Sequence, residues 1–478
     1  MLSLLLAALA AGEDAVEAAG EDPSLFELEF TGAQTVTTEG YSRQFQHIGV
    51  LGRIAVPPVL VLGELHLQND DRYSEGHEGG YWLGANGTLE QGGLEVDLAP
   101  FSLRAGRFTF SDEVSSPYSL FVSSEDLGAM QLAFDVRTSR LFYSTRAIEL
   151  TRDSARGYPD RGATIRNYGI KLGDLRVGFQ DVIVYADRVF DPEYFLNPTP
   201  GFLLQYLKRS PGTPWATDFN HNSILGFFVD RDRADSYLYG QILIDDINFN
   251  RFIPRDDLVW NPDKIAWSLG GTRSFGFGTV GLYHAGATMY TFQAYGGGRI
   301  GTATDTRYGY TYYPDVEYDL HGEPRVIRLK DNYVGYLHGE NNLAFMATYE
   351  TDLRPARLVP LVSLSSSLEL TISGSKSPAN PWHEYNDFRE YGEGTRLLDE
   401  ERLETRVMAR AAVSAPVAGW RLSGELGLGF VVNELELVDV PPDLAGTNNE
   451  IRYFSPGTTN RPIASLRLSA SYRLRYGR

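Results

Sequence analysis

The residues best suited to chemistry in this sequence are carboxylates and histidines, and their spacing leaves little covalent chemistry within reach. Asp245 and Asp246 end the stretch TyrLeuTyrGlyGlnIleLeuIle and form an acid pair of the kind that activates water in barrel hydrolases. Adjacent residues on a strand point to opposite faces, so these two carboxylates cannot readily share a proton. A structural or ligand-contacting role fits them better. The eight histidines (47, 66, 77, 221, 284, 321, 338 and 383) contain no HisGluXXHis and no close metal-ligating spacing, so each reads as a loop or lumen residue. GlyGlyGlyArgIleGly at 296–301 has the glycines of a phosphate loop, but it follows AlaTyr in a Tyr-rich β region and opens no helix. No GlyXSerXGly elbow occurs. The chain therefore reads as a non-enzyme, with no catalytic residue, metal or cofactor called for.

The elements that would carry any site are strands. In 464–478, Ala464, Leu466, Leu468, Ala470, Tyr472, Leu474 and Tyr476 share one parity, while Ser465, Arg467, Ser469, Ser471, Arg473 and Arg475 share the other. A strict period of two over that length is a strand with one apolar and one wet face. The same pattern returns in 418–432 and 175–183, and more weakly in 26–30, 59–67, 81–90, 101–110, 139–150, 237–246, 265–292, 334–350 and 401–415. Turn-formers separate these runs: GluGlyGly at 78–80, GlnGlyGly at 91–93, GlyAsp at 173–174 and SerPheGlyPheGly at 274–278. Helical periodicity is nearly absent, and 397–405 is its best short candidate, with a strand edge equally expected there. Between 187 and 222 the pattern breaks. Pro192, Pro198, Pro200, Pro211 and Pro214 exclude a regular central strand and fix an ordered excursion.

Composition narrows the architecture. The 478 residues include no cysteine, which excludes disulfides, thiolate metal sites and lipid-modified cysteines. There are 28 Tyr against 6 Trp, and 49 Gly, as suits aromatic girdles and many turns. The formal charge of −19 disfavours a nucleic-acid partner, which would need a basic surface. Of 43 basic residues only 5 are Lys, which reflects either genomic base composition or a lumen lined with guanidinium forks. Leu2 to Ala10 with the small residues Ala8 and Ala10 predicts a signal peptide over 1–12, followed by an acidic leader over 13–24. Nothing approaches the roughly 20 apolar residues of a spanning helix, and Pro57 and Pro58 break the best run. A soluble sandwich or propeller and an outer-membrane barrel both accommodate the strands. The barrel explains more: a single closed antiparallel transmembrane β-barrel over 25–478, of about 16–18 strands, with apolar parity to lipid and polar parity to a wet lumen. The chain ends Tyr476–Gly477–Arg478, so the terminal aromatic that barrel-insertion machinery reads is displaced by two residues.

Tyr194, Leu196, Asn197, Pro198, Asn220, Asn222, Ser223, Leu225, Gly226, Leu238, Tyr239, Asp245 and Asp246 give this chain a resemblance to the capsule-assembly Wzi-like family of outer-membrane proteins. GlyArgPhe at 106–108 and ProTyrSerLeuPheValSerSer at 117–124 extend the likeness, and TyrValGlyTyrLeuHisGly at 333–339 follows it loosely. The TrpGly expected after Arg107 is replaced by PheThrPheSerAspGlu. The resemblance covers roughly residues 100–350. It implies an outer-membrane barrel whose outer mouth acts as a lectin for capsular polysaccharide, without turnover. The residues suit that role, since sugars are held by Asp, Asn and Arg together with flat aromatic faces. The glycan candidates are Asp187, Arg188, Tyr194, Asn197, Asn220, Asn222, Asp245 and Asp246, although the asparagines also serve as turn caps. The expected partners are surface polysaccharide, outer-membrane lipid and lipopolysaccharide-like components, and the insertion machinery. A passive porin is the alternative reading and a barrel hydrolase a remote one. Because five prolines lack a donor, the 187–222 excursion is expected inside or over the lumen.

Overall fold

The computed structural model describes residues 24–38, 43–68, 81–82, 85–122, 128–153, 160–208, 212–214, 221–247, 263–292, 317–320, 323–326, 334–353, 361–376, 395–439 and 452–477. The expected signal peptide and all but the last residue of the acidic leader lie outside them, as does the GluGlyGly run.

Eighteen strands close on themselves. They are β1 Ser24–Thr37, β2 Arg43–Val56, β3 Val59–Gln68, β4 Ala85–Leu98, β5 Phe101–Phe108, β6 Ala129–Arg137, β7 Leu141–Thr151, β8 Arg161–Leu172 and β9 Leu175–Ala186. After two short helices, α1 Pro192–Leu196 and α2 Gly201–Lys208, follow β10 His221–Arg233, β11 Ser236–Asp246, β12 Lys264–Phe275, β13 Gly278–Ala287 and β14 Asn342–Leu353. The last four are β15 Val362–Ser373, β16 Glu404–Val417, β17 Trp420–Val432 and β18 Arg461–Gly477. Each pairs antiparallel with its neighbours, and β18 pairs with β1 from Leu25↔Gly477 to Thr37↔Ser465. Closure leaves the wall no unpaired edge, which a strand sheet in hydrocarbon requires. Among the described residues no helix is long and apolar enough to cross a membrane.

The parities read from the sequence hold. Leu466, Leu468, Leu474 and Tyr476 of β18 are exposed on the outside, while Arg473 and Arg475 pair with Glu27 and Glu29 of β1 on the inside. The two ends of the barrel differ. Turns at one end are short, such as Pro57–Pro58, Gly173–Asp174 and Ala418–Gly419, whereas the opposite end carries connections as long as 187–220 and 288–341. GlnGlyGly at 91–93 makes no turn. It lies within β4, where a Cβ on Gly93 would meet the Phe108 ring at 2.7 Å and the Ala105 carbonyl at 2.3 Å, so glycine there seats an inward aromatic. The 397–403 stretch is not helical either, and β16 begins at Glu404.

The lumen is wet along only part of its circumference. At the long-loop end the inward rows of β7–β14 become apolar, with Ile148, Ile165, Val182, Ile224, Leu243 and Ala285 fully buried. They pack against Phe110, Val114, Tyr118, Leu120 and Phe121 from the β5–β6 connection, and against Phe292, Val334 and Tyr336 from the β13–β14 connection. These two segments form an inward plug.

Candidate functional site

The plug is centred on Asp112. Its carboxylate accepts hydrogen bonds from Gln180 Nε2 at 2.6 Å, Gln241 Nε2 at 2.9 Å and the backbone N–H groups of Glu113 and Phe121 at 2.7 and 3.2 Å. Loss of water around it pushes the Asp112 carboxyl above the ordinary carboxylate range, and those four donors work against that rise. Next to it, Glu113 accepts from Asn167 of β8 at 3.2 Å and from Arg176 of β9 at 3.3 Å. Further along, the Tyr118 hydroxyl crosses to Glu369 of β15 at 2.8 Å, where His338 meets the same carboxylate at 3.0 Å. Burial pushes the Tyr118 phenol far above its usual value, so it stays a donor. Asp245 Oδ2 accepts from the Phe292 N–H at 3.1 Å, with Lys264 Nζ at 3.9 Å, and so anchors the second segment of the plug.

The 187–222 excursion is elsewhere. Asn167 and Gln180 reach the plug, so their sequence neighbours Arg166 and Asp181 point to the outside of the wall. There they form a two-pronged ion pair at 2.9 and 3.0 Å with no exposed side-chain surface. Arg166 Nη1 also donates to the carbonyls of Tyr194, Asn197 and Thr199, and Asp181 accepts from the Gly201 N–H. Thr145 of β7 donates to the Phe195 carbonyl at 3.2 Å. Ile183, Tyr185, Tyr194 and Leu204 make a small core of their own, separate from that of the plug. The expectation that this excursion lies inside or over the lumen is thus corrected: α1 and α2 form a flap on the outer face of β7–β10. The prolines keep it out of the ladder, as anticipated, but leave both faces of the wall open to it. The outward row here supplies polar anchors for it in Thr145, Arg166 and Asp181. Gly201 is required for the fit, since a Cβ would lie 2.2 Å from Ile183 and 2.6 Å from the Arg166 guanidinium.

The structure does not gather the glycan candidates into one surface. Asp187 is exposed at the end of β9 with φ +63°, a conformation Asp tolerates. Arg188 donates to Asp191 at 2.9 Å and lies 4.9 Å over the Tyr185 ring. Tyr194 is fully buried between Tyr185, stacked at 6.0 Å, and Lys208 Nζ at 4.3 Å. Asn197 caps the end of α1 and accepts from the Thr199 N–H. Asn222 accepts from the Ser223 N–H at the lumenal side of β10, and Asp245 faces the plug. Asp246 follows a register shift after Ile244, which interrupts simple alternation at the acid pair. Asn220 lies outside the described residues. Sequence reasoning missed Asp191, the true organiser of α1. It accepts from the Glu193 and Tyr194 N–H groups and pairs with Lys208 at 3.1 Å. Burial works against its charge, but Lys208 and Arg188 outweigh it and hold the carboxyl below the ordinary range. AspPro at 191–192, a cap before a first-turn proline, was the available signal.

The opposite part of the lumen is built from ions. On β18 and β1, Arg473 pairs with Glu27 at 2.9 Å and Glu29 at 2.8 Å, and Arg475 pairs with Glu27 at 2.5 Å. On β3 and β4, His66 contacts Glu64 at 2.8 Å and Glu90 at 3.6 Å, while His47 meets the His66 ring edge-on at 4.3 Å. Among the described residues no three His, Asp or Glu side chains converge as metal ligands.

Comparison with known proteins bears on the fold. No protein-family model matches the chain, and no curated protein does. Among solved structures it is similar to Wzi of Escherichia coli, described as an outer-membrane protein involved in group 1 capsule assembly and a carbohydrate-binding β-barrel. The two share 11% identity at TM-score 0.54, covering 98% of this chain and 88% of that one. OccK8 (OprE) and OprD of Pseudomonas aeruginosa, each 10% identical, give TM-scores of 0.47 and 0.46 over 95% of this chain and 98% and 95% of theirs. The fold is that of outer-membrane barrels.

Proposed function

We propose that this chain is an outer-membrane barrel that holds a surface polysaccharide at its long-loop end, without turning it over. The observation that carries the reading is the plug. Residues 109–122 and 288–292 with 334–341 fill the lumen inside β7–β14 and tie across it from Asp112 to Gln241 and from Tyr118 to Glu369. A barrel filled this way suits a fixed presenting surface better than a wide passive channel. In barrels of this kind long loops face outward and short turns face the periplasm. Asp187, Arg188, Asn197 and Asn222 lie at or near the long-loop end and offer polar groups matched to hydroxyls and carboxylates. The likeness to a carbohydrate-binding barrel supports the same reading as precedent.

Binding of acidic and neutral capsular polysaccharides to the detergent-purified barrel tests it. Saturable, salt-sensitive retention of an acidic polymer is the expected result, and no retention of any polymer overturns it. A solute channel is the second reading, favoured by the ion-lined part of the lumen at β18–β4. Large, steady single-channel conductance in planar bilayers would support that reading against the first.

A further inference from the structure

The α1–α2 flap wears its polarity inside out. A helix on a water-facing surface turns apolar residues toward the protein and polar ones away. In α2 the polar side chains turn inward: Gln205 accepts from Ser223 at 2.7 Å, and Lys208 pairs with Asp191 at 3.1 Å, itself buried. The side facing away from the wall carries Leu203, Tyr206 and Leu207 at 44%, 69% and 53% exposure, joined by Leu196 of α1 at 73%. Directly below on the same strands, the outward rows continue as Leu141, Ile170, Leu172, Val177, Phe227 and Val229, all exposed. These positions belong to the apolar band that a barrel turns to hydrocarbon.

We infer that the flap is a lipid-seated element, with Leu196, Leu203 and Leu207 among the acyl chains of the leaflet at the long-loop end and Tyr206 near its headgroup boundary. Continuity with the apolar band identifies lipid as the occupant. The outward rows of β7–β9 carry a polar group of side chains beneath the flap (Thr145, Thr164, Arg166, Asp181), and a wall presenting these groups to hydrocarbon would leave an ion pair without water. The flap covers that polar window with its own carbonyls and N–H groups and restores an apolar exterior over it. Tyr is a residue of membrane–water boundaries, where its ring is apolar and its hydroxyl wet. The inference needs the barrel to sit in a membrane and does not need it to bind a glycan.

The absence of cysteine makes the test direct. Leu203→Cys and Leu207→Cys are spin-labelled, with Leu282→Cys on the exposed wall of β13 and Asp235→Cys in a short turn as references. Each variant is first shown to be folded by heat-modifiable gel migration, then reconstituted into vesicles of phosphatidylethanolamine and phosphatidylglycerol. Labels at 203 and 207 should match Leu282, open to dissolved oxygen and with loss of access to a water-soluble nickel chelate. Access like that of Asp235 would overturn the proposal, while a lipid-seated Leu282 in the same sample would leave the membrane barrel intact. Closure to both reagents, with dipolar broadening that vanishes on dilution with unlabelled protein, would overturn it in favour of a second copy of the chain. A barrel that retains no polysaccharide yet labels as lipid-seated would sink only the glycan reading.

Discussion

The plug and the flap lie against opposite faces of the same strands, and they are held in different ways. Along β9, Gln180 turns inward to Asp112 while Asp181 turns outward to Arg166. Along β8, Asn167 turns inward to Glu113 while Arg166 turns outward. Inside, many single hydrogen bonds reach the plug from β8, β9, β11 and β15, so no one of them is indispensable. Outside, one fully buried ion pair and the carbonyls around it are the centre of the flap's polar contacts, with Thr145 and Ser223 adding single bonds at its edges. The plug spreads its polar contacts over several strands, whereas a lipid-facing surface offers no substitute for a broken bond. The same alternation that makes a barrel therefore gives each strand a redundant face and a brittle one.

Breaking the outer pair should have the largest effect. Arg166→Ala leaves Asp181 buried without its cation, a loss of about 3–5 kcal/mol for pairs of this kind. Thermal unfolding of the purified barrel and proteolytic nicking within 187–208 should both register it. Removing the two charges together, as Arg166→Met with Asp181→Leu, should recover most of the loss, because an uncompensated charge costs more than an absent pair. An Arg166→Ala barrel as stable and as protease-resistant as the parent would mean the flap is anchored by its apolar core and the Thr145 and Ser223 bonds without the ion pair.

Asp112→Ala is the matching cut on the inside. Hydrogen bonds to charged groups contribute about 1.5–3 kcal/mol, and Gln241 still donates to Gln180 at 2.7 Å once the carboxylate is gone. We expect a smaller drop in unfolding temperature than for Arg166→Ala, together with raised single-channel conductance and an unaltered flap. Unchanged conductance would show that the remaining ties, from Glu113 to Asn167 and Arg176 and from Tyr118 to Glu369, keep the plug in place.

The difference between these two regions was only half legible in the sequence. Strand parity was readable because Leu and Tyr alternate with Ser and Arg over whole strands, and 464–476 reads correctly throughout. Which side a non-strand segment would choose was not. Pro192 and Pro198 state that the chain leaves the ladder, but the choice of outer face depends on Arg166 and Asp181, which are 15 residues apart and meet only through the β8–β9 register. Charged residues on the lipid parity of two neighbouring strands were the missed signal. The plug was hidden for a related reason: Asp112 and Glu113 look like ordinary loop acids until β9 and β11 bring Gln180, Arg176 and Gln241 around them. Tyr194 and Asn197 have the residue types of ligand contacts, although a buried ring and a capping amide use the same chemistry for packing.

Acid should move the two regions in opposite directions. Asp191 has a folded pKa below its unfolded one, so its contribution is present above the unfolded value of about 3.9 and is lost as pH falls through the folded value. Asp112 has a folded pKa above its unfolded one, so its penalty is full above the folded value and is relieved as pH falls toward about 3.9. Conductance should therefore fall first on acidification as the plug tightens. Mobility of a spin label at Leu203→Cys should rise only at lower pH, as the flap loosens. The reverse order would contradict both assignments.

The smallest effect should come from Arg188→Ala, and it separates anchoring from binding. Arg188 and Lys208 share one oxygen of Asp191, at 2.9 and 3.1 Å, but their surroundings differ. The Arg188 side chain is 27% exposed and that of Lys208 only 8%, and Lys208 also meets Glu193 at 3.0 Å and the Tyr194 ring. A partly exposed pair is weakened by water and salt and contributes about 0.2–1 kcal/mol, so Arg188→Ala should barely move the unfolding temperature. Lys208→Ala should lower it clearly more, since it strips a buried carboxylate of its nearest buried cation. If Arg188 instead serves the glycan, the ranking reverses for retention of an acidic polysaccharide. Arg188→Ala should then weaken retention at low salt, high salt should erase the difference from the parent because exposed charge contacts are screened, and Lys208→Ala should retain polymer normally while folded. Equal retention by Arg188→Ala and the parent at low salt would remove the flap from the ligand surface and leave it a lipid-facing cover alone.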